Sequence, residues 1–113
     1  MAGYRGGMGG AAGMQNLMKQ AQKMQEEMRE TEALLDDWEI VGTAGGEAVV
    51  VYMNAKKKID GIEIDKSVID PEDEEMLEDL ILAAINDGYK KADAVYQEKM
   101  GKFGNMGGMG GLL

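Results

Sequence analysis

Between Met14 and Leu35 the apolar residues Met14, Leu17, Ala21, Met24, Met28 and Leu35 recur at alternating intervals of three and four, with Thr31 the one interruption. That spacing places them on one narrow stripe of a helix of about six turns. The segment is built from strong helix formers and contains neither Gly nor Pro, and Asp36-Asp37 ends it. A stripe this narrow predicts packing against another helix, from this chain or a second copy, rather than burial in a globular core.

The period then changes to two. Trp38, Ile40 and Gly42 alternate with Glu39, Val41 and Thr43, the pattern of a half-buried strand, and Ala44-Gly45-Gly46 supplies a turn. The stretch AVVVYMN, Ala48 to Asn54, is apolar on both faces and predicts a central strand covered on both sides. After the polar turn Asn54 to Lys58, a third strand is expected over Ile59 to Asp65, with Ile62 and Ile64 buried and Gly61 permitting a bulge. Connections this short make the three strands an antiparallel meander. A second helix opens at Asp70-Pro71-Glu72-Asp73, where Asp70 can cap, Pro71 fits the first helical position and the acids suit the positive end of the dipole. Its apolar face, Leu77, Leu80, Ile81, Ala84, Gly88, Ala92 and Val95, narrows to small residues where another helix could approach closely. Gly88 costs about 1 kcal/mol relative to Ala in an exposed helix, so it marks either a packing contact or a local weakness.

The fold class read from this pattern is α+β, in the order α-β-β-β-α, as a single domain over residues 14–100. The flanking segments, 1–13 and 101–113, are so rich in Gly, with Ala or Met, that they read as disordered tails. Two long helices and one small sheet offer more apolar surface than 113 residues can bury alone, which predicts a homodimer.

Composition removes several functions. There is no Cys and no His, so disulfides, thiolate metal sites and the commonest general base are all missing. Any catalysis would have to run on carboxylates, lysines and tyrosines, and no pair of these is marked out; no catalytic residue, metal or cofactor is expected. Residues 7–12, GMGGAA, fit a dinucleotide-binding glycine pattern, but residues 1–6 leave no room for the strand that must precede it. The acidic run Glu72 to Glu75 lacks the ligand spacing and glycine of a calcium loop. The longest apolar runs, Val49 to Met53 and Leu80 to Ile85, are far short of a membrane span, and the N-terminus has no signal-peptide core, which predicts a soluble, cytoplasmic protein with no membrane partner.

The formal charge of -9 argues against a polyanionic partner until its distribution is considered. Residues 1–25 carry +3 and residues 88–113 carry +2, while the middle, 26–87, carries -14. Both ends are positive and the acidity is confined between them.

Two segments, NLMKQAQKMQEEM from Asn16 to Met28 and MLEDLILAAINDGYKKADAVYQEKM from Met76 to Met100, together with the strand end Ile62-Glu63-Ile64-Asp65, closely resemble the YbaB/EbfC family of bacterial nucleoid-associated proteins. The resemblance covers about residues 14–100; Gly88 and Tyr89 stand where the family often has alanines, and the tails are not covered. It implies a tweezer-like homodimer whose helical arms project from central sheets and which binds double-stranded DNA in the nucleoid, organising it or modestly affecting gene expression, without catalysis.

If the two helices run antiparallel, Lys19 and Lys23 come near Lys90, Lys91 and Lys99, and Glu26, Glu27, Glu30 and Glu32 near the acidic stretch Glu72 to Asp79. These five lysines are the first candidates for gripping phosphates; without the resemblance they would read as a solvated face. Lys56, Lys57 and Lys58, at a hairpin tip, are a second candidate set, although three lysines in a turn are more often just a soluble edge. Aromatic residues are too few and too scattered for a base-stacking platform, so duplex backbone contact is expected over single-stranded binding. The competing reading is a non-enzymatic adaptor that docks partner proteins through Met14, Met18, Met24 and Met28, an adaptable surface of the kind promiscuous binders use.

Overall fold

The computed structural model describes residues 2–111, with side chains from Gly13 to Phe103. Helix α1 (Ala2–Asp36) leads into strands β1 (Glu39–Ala44), β2 (Val49–Asn54) and β3 (Ile59–Ile64), then a single 3-10 turn (Lys66–Val68), then helix α2 (Glu74–Gly111). The strands form one antiparallel sheet in the order β1-β2-β3. The α+β, α-β-β-β-α order expected from the alternating periods is therefore the fold, drawn out to 87 × 28 × 17 Å. Helical backbone continues into both glycine-rich ends, the segments read above as tails, and the side chains over residues 1–12 and 104–113 lie outside the described residues.

Each junction has a local cause. Thr31, the break in the apolar stripe, returns its hydroxyl to the Glu27 carbonyl at 2.8 Å and so stays compatible with the helix. At the end of α1 the buried Leu35 accepts from Trp38 N and from Ala55 N, at 3.3 and 3.2 Å, fastening the helix to the end of β2. The β1–β2 turn takes three successive positive φ angles at Gly45, Gly46 and Glu47, which the two glycines accept without steric cost. A bulge lies where Tyr52 pairs with Gly61 but Met53 with Ile59, next to the glycine expected to allow it.

Helix α2 starts three residues later than the sequence suggests. The Asp70 carboxylate accepts from Glu72 N at 2.9 Å within a turn, and it is Asp73 that accepts from Met76 N, three positions into the helix, at 3.2 Å. With two acids competent to cap, the one adjoining the continuous helical run wins.

The small-residue face of α2 meets the sheet and not α1, contrary to the expected helix–helix seam. Ala84, Gly88 and Ala92 are buried with Ile40, Val49, Val51 and Met53 beneath them. A Cβ on Gly42 would overlap the Ala84 carbonyl and lie 2.8 Å from the Gly88 Cα, so helix and strand touch backbone to backbone. Gly88 is thus a packing contact. Because α2 lies over β1 and β2, β3 is left at the margin: Ile64 is half-buried, but Ile62, expected inside, is 48% exposed. The opposite face of the sheet, with Val41, Thr43, Val50 and Tyr52 half-buried, is covered by no element among the described residues, so β2 is buried on one side only.

Candidate nucleic-acid interface

Helix α1 is an arm anchored at one end. Leu35 is fully buried at its root, Met24, Met28 and Thr31 are half-buried, and residues 13–23 are exposed throughout. The two helices do run antiparallel, but in a different register from that expected: Lys102 lies 3.9 Å from Glu27. Glu27 therefore faces the far end of α2, and the acidic stretch Glu72 to Asp79 is remote from it along the helix. Lys23 and Lys19 stand one and two turns beyond that contact, about 6 and 12 Å farther out.

Lys90 and Lys91 belong to the body of the molecule. Lys91 Nζ donates to the Val41 carbonyl of β1 at 3.1 Å and lies 2.9 Å from Asp87 one turn earlier. Lys99 lies over the Trp38 ring, 5.2 Å from its centroid. None of the three is brought to Lys19 and Lys23.

The hairpin tip is shaped by Asn54, whose Oδ1 accepts from both Lys56 N and Lys58 N at 2.9 Å, with Lys57 between them at φ 70°. The tip leans on neighbouring helices: Lys57 reaches Asp93 at 2.6 Å and lies over the Tyr89 ring, and Lys56 pairs with Asp36 at 3.3 Å. This unites the tip with the Lys90 segment of α2, an association the chain order does not announce.

Pairing divides the candidates. Lys56, Lys57 and Lys91 each have a carboxylate within 4.0 Å, whereas Lys19, Lys23, Lys58 and Lys90 are exposed with none among the described residues. Arg29 and Lys66 share that state and were not singled out by the sequence, because each sits in an acidic neighbourhood. Exposed ion pairs contribute only about 0–1 kcal/mol, yet a paired lysine has its charge already compensated when a phosphate arrives.

Asp87 was also missed. Its Oδ2 accepts the Thr43 N–H at 2.9 Å; that bond, followed by Lys91, holds its carboxyl below the ordinary 3.8. Its position one turn from Lys91 is visible in the sequence, but the reach to β1 depends on the close approach at Gly42. Among the described residues no group of three or more acids could hold a metal ion, and no helix is long and apolar enough to cross a membrane. Asp36, Asp37, Glu39 and Asp60 line an open cleft of about 350 Å³ beside Trp38 and Tyr52, a surface that repels polyanions.

A sequence model of the YbaB/EbfC DNA-binding family matches residues 8–109. A nucleoid-associated protein of Clostridium novyi is 50% identical over 91% of this chain and 93% of its own length, and one of Agathobacter rectalis is 48% identical over 98% and 95%. In structure, the chain resembles the crystal structure of an uncharacterized protein from Helicobacter pylori, with a TM-score of 0.64 and 29% identity over 80% of this chain and 91% of that one.

Proposed function

We propose, from the premise that this chain belongs to the YbaB/EbfC DNA-binding family, that it acts in the cytoplasm as a nucleoid-associated protein. In this reading a homodimer grips duplex DNA mainly through phosphate contacts, organising the nucleoid or modestly affecting expression.

The observation that carries the phosphate assignment is the set of exposed lysines without carboxylate partners among the described residues, Lys19, Lys23, Lys58 and Lys90, in a molecule whose net charge is -9. Attraction from the molecule as a whole is absent, so contact must come from local groups whose charge is still available. Along the arm, Lys19 and Lys23 lie about 20–25 Å from the hairpin-tip cluster, less than one turn of duplex. Both groups can therefore meet one DNA helix lying beside the arm. The half-buried Val41, Val50 and Tyr52 on the uncovered sheet face support a second copy, which would shield them.

Binding to random-sequence duplex, followed by fluorescence anisotropy across a salt series, tests this. Four phosphate contacts per protomer give a slope of log affinity against log salt of about -4, and about twice that when both protomers engage. No binding at tens of micromolar in low salt, about the weak end of non-specific affinity, would remove the DNA reading. A monomer mass by light scattering would remove the dimer. The adaptor reading would then be left, favoured by one observation: Met14, Leu17 and Met18 are 65%, 65% and 61% exposed.

A further inference from the structure

A three-stranded sheet has two outer edges, and here they are treated differently. On β1 one outward backbone group at each of Val41 and Thr43 is occupied by a side chain from α2: Thr43 N–H donates to Asp87 Oδ2 at 2.9 Å, and Lys91 Nζ donates to the Val41 carbonyl at 3.1 Å. Asp87 Oδ2 and Lys91 Nζ also meet each other at 2.9 Å, so each holds the other in place against the strand. The intervening residue is Gly42, whose missing side chain lets α2 come near enough for one helical turn to reach around the strand. On β3, by contrast, no side chain among the described residues bonds to the backbone.

We propose that Asp87 and Lys91 form a clasp that seals the β1 edge against strand addition by a second copy of this chain. An unsealed edge is a row of free N–H and C=O groups that templates pairing. β1 and β3 are each six residues long. Were both open, β1 of one copy could pair with β3 of the next, a head-to-tail contact that does not close and so propagates. The clasp removes one half of that contact and keeps association finite. This property concerns the sheet edge and stands apart from DNA binding.

The test is Asp87→Ala, with weight-average mass by light scattering over a concentration series and hydrogen exchange at the Thr43 amide. The variant should exchange Thr43 faster than the parent and gain mass with concentration, by about twofold or more over the parent chain. Asp87→Asn, whose amide oxygen still accepts from Thr43 N–H, should fall back toward the parent mass. If Asp87→Ala retains the parent's far-ultraviolet circular dichroism and keeps the parent's mass at every concentration, the clasp is only a stability contact and the proposal fails. If Asp87→Ala does not fold, Lys91→Met decides: it alters an exposed side chain and frees only the Val41 carbonyl, and an unchanged mass there overturns the proposal equally.

Discussion

At the scale of single residues, the most informative group is Asp87, because one carboxylate serves both a backbone N–H and a lysine. Its folded-state pKa lies below the ordinary 3.8, through the Thr43 hydrogen bond first and Lys91 second. A depressed pKa means that the folded state binds the proton less readily than the unfolded chain. The stability Asp87 adds is therefore present in full above the unfolded value and is lost as pH falls through the lower folded value. Asp87→Asn should accordingly be less stable than the parent in urea denaturation at neutral pH. The gap should close only as the pH drops below the ordinary carboxylate range, around 4 and downward. A gap that stays constant to low pH would show that the lost ion pair has no part in it. Asp65, whose carboxylate accepts from Ser67 N at 2.8 Å, is shifted the same way and contributes to the same acid limb in both proteins.

At the scale of elements, the pairing of α2 with the sheet is controlled by two glycines that differ in what surrounds them. A Cβ at Gly42 meets backbone atoms of Ala84 and Gly88, which no rotamer change can move, whereas a Cβ at Gly88 meets the far end of the flexible Met53 side chain. Gly42→Ala should then destabilise by about 1–3 kcal/mol or more, as helix and strand are forced apart. Gly88→Ala should cost less, since Met53 can turn aside and Ala gains about 1 kcal/mol of helix propensity. Chemical denaturation of the two variants checks the order, and a larger loss for Gly88→Ala would contradict it. This contact also shows where the sequence could be read and where it could not. The change of period from three-and-four to two marked both helices and all three strands, though not the 3-10 turn Lys66–Val68 or the helical backbone of the glycine-rich ends, and Gly61 announced its bulge. Gly42 and Gly88 lie 46 positions apart, and nothing local says that they face each other. The small-residue face of α2 was visible but its partner was not, because a helix and a sheet present equally good surfaces to it. Ile62 looked buried because period alone cannot tell an edge strand from a covered one. The register of the two helices, and with it the grouping of the lysines, depended on a long-range packing decision of the same kind.

At the scale of the whole molecule, charge compensation separates two pairs of lysines that look alike in sequence. Lys19 and Lys23 are exposed without carboxylate partners among the described residues, while Lys56 and Lys57 are held by Asp36 and Asp93. Replacing either pair by alanine changes the net charge from -9 by the same two units, so any effect of overall charge is equal in the two variants. A phosphate contact is different, because it releases a counterion only where a lysine charge is not already neutralised. Lys19→Ala/Lys23→Ala should weaken duplex binding and reduce the salt slope by about 2 per protomer. Lys56→Ala/Lys57→Ala should leave the slope close to the parent value. Equal losses in both would mean that overall charge, and not contact, governs affinity. A loss confined to the second pair would move the interface to the hairpin tip and make the free end of α1 a bystander. The comparison holds at salt concentrations near physiological, where the Debye length is about 8 Å and the acidic body, more than that distance from Lys19 along the arm, is screened from it.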